Sequence, residues 1–307
     1  MKLKTKNLLT LAELTPKEFV GLINDSIKLK KELKKNGNKP ILKNKTLAMI
    51  FQKPSTRTRV SFEVGMYQLG GHAVNLSSND TQLSRGESVE DTAKTLSRYT
   101  DCIMARVYDH ELLEKLSQHA TVPVINGLSD SFHPCQILAD FLTIKEKKKK
   151  INGLKIAWIG DGNNVCNSMI YGAALAGSSM SIATPKEFQP DKKVVKEAKK
   201  SSDIELTSDP FQAVKNADVV VTDTYSSIHN NDPKRIKKFL PQYQVNPKLM
   251  RSAKDNAIFL HCLPAKREQE VTSSVIDGSQ SVVWDEAENR LHTQKALLSA
   301  LIHAERI

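Results

Sequence analysis

The chain has 307 residues, 39% hydrophobic and 26% charged, the balance of a soluble globular protein with room for two ordinary domains. Its net charge of +11 invites a nucleic-acid partner, but the lysines cluster at 28–35, 145–150, 192–200 and 234–238 as solvated faces, and aromatics make up only 6%, too few for base stacking. A membrane span needs ~20 apolar residues and a secretory signal needs an apolar core, and neither is present; four scattered cysteines without a Cys-x-x-Cys pair suggest a reducing cytoplasm, not a zinc or disulfide framework.

Thr15-Pro-Lys-Glu18 predicts a helix start with Pro in the first turn, continued by apolar positions at Leu22, Ile23, Ile27 and Leu29. A short strand over 46–51 leads into Lys53-Pro-Ser-Thr-Arg-Thr-Arg59, and a helix follows over 60–69. Gly70-Gly71 ends that helix, and 72–76 reads as the next strand. Ser88-Val-Glu-Asp91 resembles a capping box before a helix reaching Tyr99. Then come a strand over 102–106, a helix over 111–118, a strand over 122–125 and a helix over 135–147.

After the lysine run and Asn152-Gly153 the pattern restarts. Residues 154–159 are apolar at five of six positions and predict a buried strand; Gly160-Asp-Gly-Asn-Asn164 is its turn, before a small-residue helix to Ala176. Further strands are expected at 179–183, 217–222 and 257–260. Strands alternating with helices mean parallel sheets built from right-handed βαβ units. The expected fold is α/β, with two doubly wound parallel-sheet domains joined by helices and a C-terminal helix packing back on the first. The expected domains are 1–148, 149–288 and the helical tail 289–307.

Ligands of such sheets sit beyond the carboxyl ends of the strands, where the candidate residues fall. Ser55-Thr56-Arg57-Thr58-Arg59 joins hydroxyls, guanidiniums and a helix N-terminus, the parts of a phosphate cradle; a solvated basic turn is the bland alternative. It is not a Walker loop, since no Gly-x-x-x-x-Gly-Lys occurs there. Arg106 ends a strand, and His133-Pro134-Cys135-Gln136 opens a helix, where it could equally be an ordinary capped start. Together the three segments suit a small phosphorylated compound.

In the second half, Gly160-x-Gly162 begins like a dinucleotide fingerprint but has Val165 where the third Gly or Ala belongs. The asparagines Asn163 and Asn164 could grip a carboxylate or an amino group instead. Asp223, at a strand end, could receive an ammonium or cap the next helix. His261-Cys262-Leu263-Pro264 ends another strand, and its cysteine could be a functional thiol or a small buried hydrophobe. Arg290 is expected just ahead of the final helix.

These motifs, in this order and spacing, resemble the aspartate/ornithine carbamoyltransferases from about residue 7 to the end. Ser-Thr-Arg-Thr-Arg at 55–59 and His-Pro-Cys-Gln at 133–136 are shared by both branches. His-Cys-Leu-Pro at 261–264, Gly-Asp-Gly-Asn-Asn, Thr222-Asp223-Thr224 and Glu288-Asn-Arg-Leu-His-Thr293 are similar to the ornithine branch.

The resemblance implies transfer of a carbamoyl group from carbamoyl phosphate to the δ-amine of L-ornithine, giving L-citrulline and phosphate, without cofactor or metal. It implies carbamoyl-phosphate binding by Ser55, Thr56, Arg57, Thr58, Arg106, His133, Pro134, Cys135, Gln136, Cys262, Leu263 and Arg290. Gln82 is implied to reach a neighbouring subunit's site in a homotrimer. Asn164, Asp223, Ser227 and Ile228 fall to ornithine, and Arg106, His133, Asp223 and Cys262 to catalysis.

The chain departs from the family pattern in the amino-acid loop, where Ile228 and His229 replace Met and Gly, and at Lys266, which replaces His. A β-branched residue is stiffer than Met, and loss of Gly removes easy access to positive φ. Two rivals follow: a carbamoyltransferase for putrescine or an acylated ornithine, and a non-catalytic binding protein on the same scaffold. Putrescine has no α-carboxylate and would leave the asparagine pair idle, while intact Arg57, His133 and Cys262 argue against a decayed site.

Overall fold

The computed structural model of the chain describes residues 2–77, 81–225 and 232–302. It divides into two compact units, Met1–Leu142 with Glu288–Ile307, and Thr143–Ala287. In chain order the first stretch contains α1 (Pro16–Asn36), β1 (Thr46–Phe51), α2 (Thr56–Gln68), β2 (His72–Ser77), α3 (Val89–Tyr99), β3 (Cys102–Arg106), α4 (His110–His119), β4 (Val124–Leu128) and α5 (Pro134–Lys148). There follow β5 (Lys155–Ile159), α6 (Asn164–Ala176), β6 (Ser179–Ala183), α7 (Lys192–Ala198), β7 (Ile204–Thr207), α8 (Pro210–Val214) and β8 (Val219–Thr222). The last elements are α9 (Pro233–Lys237), α10 (Pro247–Met250), β9 (Ile258–His261), α11 (Ser273–Ile276) and α12 (Val283–Ile302).

The first unit holds a parallel sheet of order β2-β1-β3-β4. Its central strands are apolar without alternation because both faces are buried, as parallel sheets require. The outer side of β4 is not left open. Leu8 N–H donates to Val124 O and Asn126 N–H to Leu8 O, at 2.9 and 2.8 Å, so the N-terminal segment covers that edge. β4 starts later than the expected 122–125, after Pro123, which has no N–H to give the ladder.

Helix starts fall at both expected caps, but the expected box at Ser88–Asp91 forms only in one direction, while Thr15 and Glu18 make a full one. Thr15 and Glu18 form a reciprocal capping box on α1, and Ser88 accepts the Asp91 N–H at the start of α3. The helix after β1 begins earlier than expected, at Thr56, because Ser55 serves as its N-cap and accepts the Thr58 N–H at 3.4 Å. The hydroxyl-arginine run is therefore the helix's first turn rather than a loop ahead of it.

The second unit is a parallel sheet of order β7-β6-β5-β8-β9. The strand β7 carries no clear sequence signal: it is a four-residue edge strand with only its first residue buried. The division between units falls inside α5, whose last turn holds Lys145, Lys147 and Lys148, where cations complement the helix C-terminus. Arg290 is a correction to the sequence reading: it lies within α12, not ahead of it, and is buried.

Candidate active site

The first unit gathers its polar groups beyond the ends of β1, β3 and β4. Thr58, on the first turn of α2, has its hydroxyl fully buried, and two guanidiniums converge on it. Arg106 Nη1 donates at 3.2 Å and Arg290 Nη2 at 2.9 Å. Arg290 Nη1 also donates to Gln136 Oε1 at 2.8 Å, and Gln136 Nε2 donates to Asp140 Oδ1 at 2.9 Å. The chain Thr58–Arg290–Gln136–Asp140 thus fixes one guanidinium face between α2 and α5, which orients its fork before any ligand arrives.

His133 immediately precedes α5 and is buried. Burial, then the charges of Arg290, Arg106 and Arg57, hold its imidazole well below the usual range, so it is neutral at physiological pH. A neutral imidazole beside three guanidiniums can donate a hydrogen bond without adding charge. Lys53 is also buried, its ammonium 4.0 Å from the centroid of the Tyr108 ring. Burial and the nearby Arg106 charge lower its pKa to about 8. Cationic groups held this way at a helix N-terminus are chemically able to hold an anion.

In the second unit, Asn163 caps α6, its Oδ1 accepting from the N–H groups of Val165 and Cys166 at 3.0 and 3.1 Å. Its Nδ2 donates to Asp223 Oδ2 at 2.7 Å, and Cys262 Sγ lies 3.2 Å from Asp223 Oδ1. The two glycines ahead of Asn163 serve packing: a Cβ on Gly162 would lie 2.2 Å from Pro190 N, and one on Gly160, at φ 121°, would lie 2.7 Å from the Tyr225 ring. That explains a Gly-x-Gly turn without a dinucleotide.

His261 is wholly buried. Its Nδ1 accepts from Leu263 N–H at 2.9 Å, and its Nε2 pairs with Glu270 Oε1 at 3.1 Å. The bond from Leu263 holds that residue at φ 56°, a left-handed conformation few leucines adopt. Asp223, His261 and Cys262 bring donor atoms within 4.8 Å of one another, the spacing of a metal site. Both imidazole nitrogens are already engaged, however, which fits a hydrogen-bonded frame for Cys262 and Leu263 better than a set of metal ligands.

Two family models match the chain. Residues 6–146 match the carbamoyl-P binding domain of aspartate/ornithine carbamoyltransferase, and residues 152–301 match its Asp/Orn binding domain. The chain belongs to the aspartate/ornithine carbamoyltransferase family. The ornithine carbamoyltransferase of Cenarchaeum symbiosum is 60% identical over 301 residues, covering 98% of this chain and 99% of the relative. The solved ornithine carbamoyltransferase of Pyrococcus furiosus has a TM-score of 0.94 at 50% identity, covering 98% of each chain. The anabolic ornithine carbamoyltransferase of Campylobacter jejuni has a TM-score of 0.92 at 43% identity, covering 98% of this chain and 100% of the other.

Within this carbamoyltransferase family member, Thr58, Arg106, Gln136 and Arg290 are joined by direct hydrogen bonds, and the charges of Arg57, Arg106 and Arg290 bear on His133. Ser55 acts through its cap, and Thr56 is the exposed first residue of α2. Pro134 starts α5, while Cys135 is buried, with its thiol on Asn126 O at 3.4 Å and its pKa pushed up to about 12 by burial. Gln82 is exposed on the single-turn helix Gln82–Arg85.

Asn164 opens α6 and accepts the Ser168 hydroxyl at its carbonyl. Of the two asparagines expected to grip a carboxylate or an amino group, the one that grips Asp223 is Asn163. Its position just ahead of a small-residue helix was the signal that could have singled it out. The helix after β8 is capped by Asp232, not by Asp223. Ser227 and Ile228 lie outside the described residues.

Proposed function

We propose that this chain transfers the carbamoyl group of carbamoyl phosphate to the δ-amine of L-ornithine, releasing L-citrulline and phosphate. The observation that carries this reading is the convergence of Arg106 and Arg290 on the buried Thr58 hydroxyl at the N-terminus of α2. Phosphate oxygens would take the Arg57 and Arg106 forks and the N–H groups of the first turn, with Ser55, Thr56 and Thr58 around them.

The reaction forms a bond from the δ-nitrogen to the carbonyl carbon and breaks the bond from that carbon to the phosphate oxygen. A lysine-like amine titrates near ~10, so the site must draw on the scarce neutral form, and the proton the amine loses as the new bond forms goes to the departing phosphate. The carbonyl oxygen gains charge in the tetrahedral intermediate. Neutral His133, Arg106 and Thr58 are suited to donate to it, and removing such a donor typically raises the barrier by ~2.7–4 kcal/mol. Phosphate departs as an anion already neutralised by guanidiniums.

For the acceptor, Asp223 supplies a carboxylate for the α-ammonium, held in place by Asn163. Asn164, Ser227 and Ile228 complete the amino-acid contacts, and Cys262 and Leu263 stand beside Asp223 on the His261 frame. Pro134, Cys135 and Gln136 are the α5 contribution to the donor site. We place the enzyme in the cytoplasm, in arginine metabolism, as a homotrimer in which Gln82 serves a neighbour's site. Exposure of Gln82 and of the apolar Val60, Tyr67 and Val74 on the first unit is consistent with such an assembly. Among the described residues no helix is long and apolar enough to cross a membrane.

An assay of ureido-product formation from carbamoyl phosphate with L-ornithine, putrescine and N-acetylornithine tests the reading. Ornithine is expected to be the preferred acceptor. Preference for either other amine would reassign the substrate, and inactivity with all three would favour a binding protein.

A further inference from the structure

Asp161 and Arg235 form a charged pair in the turn after β5, two residues ahead of the Asn163 that holds Asp223. Asp161 follows Gly160 in the turn after β5, and its position is fixed from several sides. Its carbonyl accepts the Trp158 indole N–H at 2.9 Å, Gly160 N–H donates to Ala183 O, and Gly162 N–H donates to Phe188 O. Two residues on, Asn163 holds Asp223. Arg235, on α9, pairs through Nη2 with the Asp161 carboxylate and donates from Nε to Tyr225 O at 3.0 Å. Its guanidinium lies 4.2 Å from the centroid of the Phe188 ring. One arginine therefore joins the turn after β5 to the backbone two residues beyond Asp223.

The charges make this more than a tether. Asp161 and Asp223 are both buried, and they repel: burial, with some help from Asp223, raises Asp161 to about 6 although Arg235 opposes it. Among the described residues, Cys166 and Tyr225 also feel Asp161, and burial raises both well out of the physiological range. Two carboxylates and one guanidinium leave a single net negative charge, matched to one ammonium.

We infer that Arg235 is a positioning residue for the acceptor site, its pairing with Asp161 leaving Asp223 as the one uncompensated carboxylate for the substrate ammonium. This rests on the proposed reading of Asp223 as the ornithine contact. Without Arg235, Asp161 and Asp223 compete for the incoming cation; without Asp161, Arg235 becomes a surplus cation that competes with the substrate for Asp223. Breaking either half of a pair with a buried carboxylate is costly, whereas removing both restores the balance.

The test is a kinetic cycle on the full-length protein with Arg235→Leu, Asp161→Asn and the double variant. Each single change is expected to raise the ornithine KM about tenfold, with the carbamoyl-phosphate KM within about twofold, and the double variant is expected to return the ornithine KM to within about threefold of wild type. Arg235→Lys, which keeps the charge, should also stay near wild type, and Asp161→Asn keeps the cycle informative if Arg235→Leu does not fold. Single variants with unchanged ornithine KM, or a double variant no better than the worse single one, would overturn the inference while leaving the function standing. A wild-type chain that does not carbamoylate ornithine would remove both.

Discussion

Arg290 and Thr58 are 232 residues apart in sequence, yet Arg290 Nη2 donates to Thr58 Oγ1 at 2.9 Å. The same guanidinium holds Gln136, so α12 joins α2, β3 and the start of α5 in the proposed phosphate site. Arg290→Leu would remove one cation and leave the buried Gln136 carbonyl without that donor. Steady-state kinetics should show kcat/KM for carbamoyl phosphate falling about a hundredfold, the scale for loss of a buried charge-assisted bond. A loss confined to ornithine KM would place Arg290 elsewhere.

Asp223 has a different expected signature. Changing it to Asn keeps the shape and the contact with Asn163 but removes the charge offered to an ammonium. Calorimetry on Asp223→Asn should show ornithine binding weakened at least about tenfold, measured with a carbamoyl-phosphate analogue present, and analogue binding nearly unchanged. Equal losses for both ligands would reject this division of labour.

Lys53 provides a pH test. Its pKa in the free protein is lowered to about 8, so its proton is lost as pH rises through that value. A bound phosphate dianion favours the ammonium form and draws the proton back. Calorimetry near pH ~8.5 in buffers of different ionisation enthalpy should therefore detect net proton uptake on carbamoyl-phosphate binding. Lys53→Met should abolish most of that uptake, and an unchanged proton count in the variant would show that Lys53 does not sense the ligand.

Much of this arrangement was legible in the sequence because its signals are local. Apolar strand segments followed by hydroxyl, glycine or asparagine turns located most sheet strands, and the motifs at 55–59, 133–136 and 261–264 fell at strand ends. The illegible parts depend on tertiary contacts. Nothing in its neighbours shows that Arg290 is buried inside a helix until the partners Thr58 and Gln136 are known. The weak pattern of β7 comes from an edge position that buries little. Which of Asn163 and Asn164 grips Asp223 depends on one residue of helix phase: the cap residue, outside the helix, is free to turn towards Asp223. Arg235 has no local motif at all, since its partner lies 74 residues earlier.

If the first turn of α2 binds the phosphorylated donor, Arg57, whose charge also bears on His133, is the residue whose loss should abolish turnover. The measurement is citrulline formation by Arg57→Gly at saturating substrates, alongside its melting temperature. Turnover is expected below about a hundredth of wild type with little change in melting, since the side chain is only partly buried. A folded variant retaining more than about a tenth of wild-type turnover would contradict it.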